Sequence, residues 1–485
     1  STVANVALPH MAGSFSASND ESTWILTSYM IASGIVLPSV AWLSSVFGRK
    51  KLFIHCILIF SMASLLCGLA RSLDEMILAR ILQGLGGGAI IPISQAMLLE
   101  NFPIEKRRLA MSIFGFGVII APIIGPIVGG WITDEYSWHW IFYINVPIGM
   151  IAAYLSHLFV EDPPFARKKP GQTIDVVGFF FLITWLVCLQ VVLDKGNNAD
   201  WFNANWIRWT FGVSMTSMIL FIYTQIINKK SLIDIEVFKD RNFTIGTIMM
   251  VIIQGVMYGS IVIMPLFLQS LLKYTAFLSG IATMPRGVGS ITAIIITGFI
   301  AKKISDKGLI AIGLATIGLS SLVFGMLNLQ ISMINILIPN MIFGFGMGIC
   351  MIPLSTISVV TLRNDEMTNA AGIQNLFKNI GGAIGTSCVS TLLSRCAQMH
   401  QIDMVGNLTS LNPAFQSRVS AYSHFLSSHM SAVSAKVGAN YLMYSQLLQQ
   451  AGLWAYIDAF RIFGAVCFLV IPLLLFFNSK NSSEA

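Results

Sequence analysis

The stretch Gly117-Val-Ile-Ile-Ala121-Pro122-Ile-Ile-Gly125-Pro126-Ile-Val-Gly129-Gly130 decides the fold. It lies in a run, 109–133, that contains no charged residue. A bilayer-crossing helix needs about 20 apolar residues, and this run is long enough. Gly117, Ala121, Gly125 and Gly129 recur every four residues, so a helix would carry them as one smooth stripe. Such a stripe lets a neighbouring backbone come close. Pro122 and Pro126 interrupt the hydrogen-bond ladder of the same helix and bend it. Close packing with a bend suits a helix that rocks between two states. Ordinary small-residue packing accounts for the spacing equally well.

Working outward, apolar runs of similar length fill the chain. Of 485 residues, 55% are hydrophobic and 11% charged, where a soluble domain has about 25% charged. A water-soluble core has no use for that much apolar surface. The runs predict an all-α integral membrane protein with fourteen spans. They lie at 1–11, 23–43, 52–70, 76–98, 109–133, 139–160, 176–194, 206–228, 243–268, 277–301, 309–328, 334–360, 369–394 and 456–477. The chain opens at Ser1 inside an apolar run, and we read the first span as a truncated remainder. The loops are short except 395–455, which is rich in Ser, Ala, Gln and Met. Within it, 441–448 reads either as an amphipathic helix or as part of a solvated loop.

The net charge of +7 is distributed by loop, not gathered on one face. One set of alternate loops carries Arg49, Lys50, Lys51, Lys106, Arg107, Arg108, Arg167, Lys168, Lys169, Lys229, Lys230, Lys302 and Lys303. The other set carries far fewer basic residues, among them Arg71, Lys195, Lys273 and Arg395. This positive-inside asymmetry predicts cytoplasmic termini and argues against a nucleic-acid partner. The seven cysteines form no CxxC pair and sit mostly within apolar runs, which points to small buried hydrophobes, with no metal or cofactor. The chain has no HExxH, GxSxG or phosphate-binding loop, so an embedded enzyme or an ATP-driven pump lacks its chemistry.

A weak internal repeat is visible. Gly84-Leu-Gly86-Gly-Gly88 followed by Pro92 resembles Gly344-Phe-Gly346-Met-Gly348 followed by Pro353. We divide the chain into a six-helix half at 1–160, two extra spans at 161–242, and a second six-helix half at 243–485 that carries the long outer loop. Repeated halves place a substrate site between them near mid-membrane. Charges inside spans cost about 3 kcal/mol or more, so they mark function or a paired site. Arg286 and Lys378 lie deep in their spans, while Arg80 and Arg461 sit nearer the outer ends and could snorkel, Arg461 more readily than Arg80, which is followed by Gln83 and three glycines; the acids all lie in loops or near span ends. Asn5, Asn145, Gln254, Tyr258, Asn340 and Asn375 are polar candidates that either line a cavity or bond between helices. Gly48 allows a tight turn before Arg49 and Lys50, which act at least as a cytoplasmic anchor.

These motifs together resemble the major facilitator superfamily, and within it the fourteen-span drug:proton antiporters similar to EmrB. The matching stretches are TVANVALP at 2–9, Gly48-Arg49-Lys50-Lys51, Arg80-Ile-Leu-Gln83-Gly84-Leu-Gly86, and the 121–130 stretch with Gly130 at its end. Trp138-His139-Trp140, Leu193-Asp194-Lys195-Gly196 and Met284-Pro285-Arg286-Gly287 are also similar. The resemblance implies a major facilitator fold and export of small apolar or amphipathic compounds by proton antiport. It implies that Arg80 and Gln83 belong to the proton-coupling region. It further implies an acid immediately before the position of Ser1, paired with Arg80 when deprotonated. It also implies that 117–130 is the conformational antiporter motif, and that 48–50 is the cytoplasmic loop motif. Ser45 stands where that loop motif usually has Asp, and Lys378 where Arg is common. Partners implied are the bilayer, protons, the exported small molecule, and a periplasmic adaptor with an outer-membrane channel reached through 395–455. The bacterial inner membrane is the implied location. Export of one endogenous metabolite such as a siderophore is the alternative, which Arg286 and Lys378 would suit if that cargo were anionic.

Overall fold

A computed structural model describes residues 2–101, 114, 117, 125, 127–160, 175–227, 235–300, 304–362, 367–409 and 411–477. Among them there is no strand. Helices α1 (Thr2–Ser14), α2 (Asn19–Ser22), α3 (Trp24–Phe47), α4 (Arg49–Leu69) and α5 (Leu73–Asn101) come first. After the helical residues 127–135 come α6 (Trp140–Tyr143) and α7 (Asn145–Phe159). Then follow α8 (Val176–Lys195), α9 (Asn205–Ile227), α10 (Arg241–Leu266), α11 (Ala276–Ile300), α12 (Asp306–Phe324) and α13 (Ile334–Val359). The last are α14 (Met367–Val405), α15 (Pro413–Ser427) and α16 (Ala432–Val470).

Ten helices among the described residues are long and apolar enough to cross a membrane, and Trp24–Leu37 of α3 adds a shorter apolar stretch. The expected span at 1–11 is seen as the 13-residue α1. Of the span at 109–133, Ala121, Pro122 and Pro126 lie outside the described residues. The outer faces are apolar: Met150 is 61% exposed, Phe159 78%, Trp209 77% and Ile226 71%. Water would penalise that surface, whereas lipid tails accept it. The protein is therefore a multi-pass membrane protein.

Helix starts follow local chemistry. Asp175 accepts from the Gly178 N–H at 2.9 Å and so caps α8. Asp240 does the same for α10 through Phe243, and also accepts from Thr361 at 2.8 Å, tying α13 to α10. Gly48 joins α3 to α4 at φ 82°, a backbone angle that disfavours side chains. This junction defines the basic end of the bundle. The other end, which holds Asp134, Asp194 and Phe277, we name the distal end.

The packing repeats. In the first half, α3 and α4 both pack on α5, and α4 also packs on α7. In the second, α11 and α12 both pack on α13, and α12 also packs on α16. The glycines that make these approaches correspond one by one. A methyl on Gly84 would meet the Tyr29 carbonyl, and one on Gly88 the Ser33 carbonyl. In the second half, Gly344 faces the Arg286 carbonyl and Gly348 the Ser290 carbonyl. On the opposite helix face, Gly86 sits at Cys56 and Phe60, while Gly346 sits at Gly313 and Ile317. Each pair of contacts is one helical turn apart, so the weak repeat in the sequence is a geometric duplication.

The segment 395–455 differs from the expected loop. α14 runs on to Val405, α15 follows, and α16 begins at Ala432. α14 and α16 each have 39 residues, about 58 Å at 1.5 Å per residue against about 30 Å of hydrocarbon. The reason is a four-residue spacing of Ala435, Ala439, Met443, Leu447 and Ala451, all buried, which gives α16 a narrow seam. Gln446 donates to Tyr422 of α15 at 2.7 Å, and Gln401 of α14 donates to Tyr444 at 2.9 Å.

Candidate transport site

The close approach of α3 and α4 to the glycine face of α5 brings three helices around Arg80. Its Nε donates to the Ile25 carbonyl at 2.8 Å, and its Nη1 to Gln83 Oε1 at 2.5 Å. The guanidinium lies 4.5 Å from the centre of the Tyr29 ring and 5.8 Å from that of Phe142. Gln83 in turn donates to Ser64 of α4. Arg80 is 3% exposed, which rules out snorkelling to the membrane surface. Its Nη2 is buried with no hydrogen-bond partner among the described residues. Among the described residues no carboxylate pairs with it. A buried cation with an unspent donor favours an anion beside it.

The second half holds the corresponding place differently. Gly84 and Gly344 are equivalent, so Asn340 stands where Arg80 does, and Arg286 where Tyr29 does. The cation has changed helix. Arg286 Nε and Nη2 donate to Asn340 Oδ1 at 3.2 and 2.9 Å, and Nη1 donates to Ser260 Oγ at 2.9 Å. The guanidinium sits 4.3 Å from the Phe343 ring centre. Asn340 Nδ2 donates to the carbonyls of Ala282 and Ile336 at 2.9 and 3.2 Å. Arg286 is thus held by neutral acceptors and by an aromatic face.

Other expected residues are distributed as follows. Tyr258 bonds Gln254 one turn away on α10. The Tyr258 ring packs at Gly382 of α14. Lys378 and Asn375 precede Gly382 on that helix face and are partly exposed. Arg286, Asn340, Gln254, Tyr258, Asn375 and Lys378 therefore come from three packed helices, α10, α11 and α13, and from α14 beside α10. Among the described residues, Asn145 donates only to Ile141 in the turn before it, at 3.4 Å. Asn5 lies on α1 with its side chain outside the described set. His139 stacks on Trp138 at 3.7 Å and meets Ser137 Oγ at 2.6 Å. That is a packed interfacial histidine.

The glycine stripe is only partly a contact face. Gly129 packs on Val3 of α1, and Gly125 and Gly130 are buried. Gly117 is exposed, and among the described residues a methyl there would have no heavy atom within 4 Å. Tyr29, Ser64 and Ser260 were not singled out from the sequence. Nothing in their spacing marks them, because each matters only through a neighbour on another helix.

Residues 1–386 match the Major Facilitator Superfamily. The probable multidrug resistance protein EmrY of Escherichia coli is 33% identical, covering 98% of this chain and 91% of that protein. The multidrug export protein EmrB of Haemophilus influenzae is 33% identical over 86% of this chain and 82% of its own length. The fatty acid resistance protein FarB of Neisseria gonorrhoeae is 30% identical over 97% and 91%. Among solved structures, a bacterial homologue of the lysosomal transporter Spinster superposes with TM-score 0.59 at 15% identity, covering 99% of this chain and 95% of that one. The nucleoside transporter NupG gives 0.58 at 12%, covering 98% and 95%. Such low identity with full coverage bears on the fold alone, and the sequence relatives bear on the family. This chain belongs to the major facilitator superfamily.

Proposed function

We propose that this protein is a secondary active exporter of small apolar or amphipathic compounds, driven by proton antiport, and not an enzyme. The duplicated packing supports alternating access between the halves 1–160 and 243–485, with 161–242 as an inserted pair. The relatives named for multidrug export and resistance support the cargo class. The basic end would face the cytoplasm of a bacterial inner membrane, by the distribution of Lys and Arg.

The observation that carries the coupling reading is the buried Arg80 guanidinium with its unspent Nη2 donor. An anionic acceptor there would be held by the cation, and proton binding to it would release it. The acid that the family resemblance implies just before the position of Ser1 is suited to this role. Gln83 and Ser64 hold the guanidinium in place. Gln254, Tyr258, Asn375 and Lys378 are the proposed wall of the cargo path, with Arg286 and Asn340 behind it. The helical 395–455 segment is the proposed contact for a periplasmic adaptor and outer-membrane channel.

The test is efflux of a lipophilic dye from proteoliposomes under an imposed pH gradient. We expect Arg80→Gln to abolish gradient-driven efflux while the protein still purifies as a single species. Undiminished efflux in that variant overturns the coupling role. Absence of gradient-dependent efflux in the wild type, with a range of dyes, overturns the antiport reading itself.

A further inference from the structure

We propose that the distal end of the inserted pair, residues 193–200, is the latch that holds the two halves together, with Asp194 as its positioning residue; this rests on the alternating-access reading. α8 packs on α3 of the first half and on α14 of the second, which also pack on each other. At its distal end the bonds go alternately to each. Asp194 Oδ1 accepts from Thr27 Oγ1 at 3.0 Å and from Thr23 Oγ1 at 3.5 Å, both at the start of α3. The next residue, Lys195, sets its ammonium 5.1 Å from the Trp24 ring centre. On the other side, the Leu193 carbonyl accepts from Ser387 Oγ of α14. Beyond the helix end, Asp200 pairs with Arg395, also of α14.

The chemistry explains why a helix end does this work. The last carbonyls of a helix lack intrahelical donors, so Leu193 needs a partner from outside. Ser387, which is buried, supplies one. A carboxylate in the last turn opposes the helix dipole, so Asp194 must be held by neighbouring donors, and Thr27, also buried, is the closer of the two threonines. A helix bonded to both α3 and α14 fixes their distal separation. Opening the central passage at the distal end requires that separation to grow. The bonds to α3 involve a charged acceptor and a cation over an aromatic ring, whereas Asp200–Arg395 is solvent-exposed and correspondingly weak. Distal opening therefore breaks the bonds on one side of α8 or the other, and weakening either side, at Asp194 or at Ser387, favours it. The inserted spans thus set the balance between the two open states.

The experiment measures distal opening directly. Spin labels at Gly13→Cys on α1 and Ser390→Cys on α14, both exposed positions, report the separation of the halves in nanodiscs, with native cysteines replaced. We expect Ser387→Ala and Asp194→Ala each to raise the long-distance population ratio about tenfold, the low end for loss of a hydrogen bond to a charged group or a buried carbonyl. Asp194→Asn keeps an acceptor for Thr27 and should fall between. Thr316→Val, whose hydroxyl only bonds Ile312 one turn back, should change nothing. If Asp194→Ala does not purify, Thr27→Val removes the same bond. Unchanged distance distributions in Ser387→Ala and in the Asp194 or Thr27 variant overturn the latch. The readout needs no cargo, so distances that respond in a protein without proton-driven efflux would keep the latch and reject the export reading.

Discussion

Replacing Asn340 by Leu should damage the protein more than removing Asn340 and Arg286 together. Asn340 is fully buried, and its Oδ1 accepts from two nitrogens of Arg286, at 3.2 and 2.9 Å. Leu at 340 leaves the guanidinium with Ser260 as its remaining hydrogen-bond acceptor and with the Phe343 face. A hydrogen bond to a charged group contributes about 1.5–3 kcal/mol, and orphaning a buried charge costs about 3–5 kcal/mol. Arg286 is itself only partly buried, so the loss should lie at the lower side, about 2–4 kcal/mol. Adding Arg286→Met removes the orphaned cation. What then remains is mainly the Ala282 carbonyl without its donor, about 1–2 kcal/mol. The double variant should therefore recover about 1–2 kcal/mol relative to Asn340→Leu. The assay is reversible unfolding in mixed micelles, followed by far-ultraviolet circular dichroism for wild type, both single variants and the double. A double variant no more stable than Asn340→Leu would refute the claim that the cation is the costly partner.

Gly344→Ala should destabilise by about 1–3 kcal/mol, because the new methyl meets the Arg286 carbonyl, while Gly372→Ala, with open space around it, should be neutral or slightly stabilising; thermal unfolding of the two proteins checks this. Asp240→Ala removes the α10 cap and the bond to Thr361, and should cost about 1–2 kcal/mol in the same measurement. Side-chain bonding from Asn203, then Arg395, holds the Asp200 carboxyl below the usual carboxylate value. Its contribution is thus present above that usual value and is lost as pH falls through it toward the depressed one. Hydrogen-exchange protection at 196–204, measured against the intrinsic rate at each pH, should fall on acidification below about pH 4 in the wild type, and Asp200→Asn should remove that acid-dependent step.

Spans were legible because the bilayer sorts each segment by itself. A run such as 176–194 has only to be apolar and long enough, and it is α8 almost to the residue. The glycine repeat at 84–88 and 344–348 was legible for a similar reason, since close approach demands the same small residue wherever it recurs. Outside 441–448, where a helix was one of the two readings, the helical character of 395–455 was missed because its apolar seam is mostly alanine, which a hydropathy count barely registers. Arg80 stood out as a charge in an apolar helix, yet Tyr29, Ile25 and Ser64 as its surroundings did not.

Composition and pattern alone determined that this chain crosses a membrane many times, that a glycine pattern recurs weakly at 84–88 and 344–348, and that few cations are placed where charge is expensive. Tertiary structure decided what those cations touch: that the cation sits on α5 in one half and on α11 in the other, and that the end of α8 bonds to both halves. Partition into lipid depends on a segment's own side chains, so it is written in the linear order. A hydrogen bond between helices depends on which faces meet, and that is settled only when all of them pack.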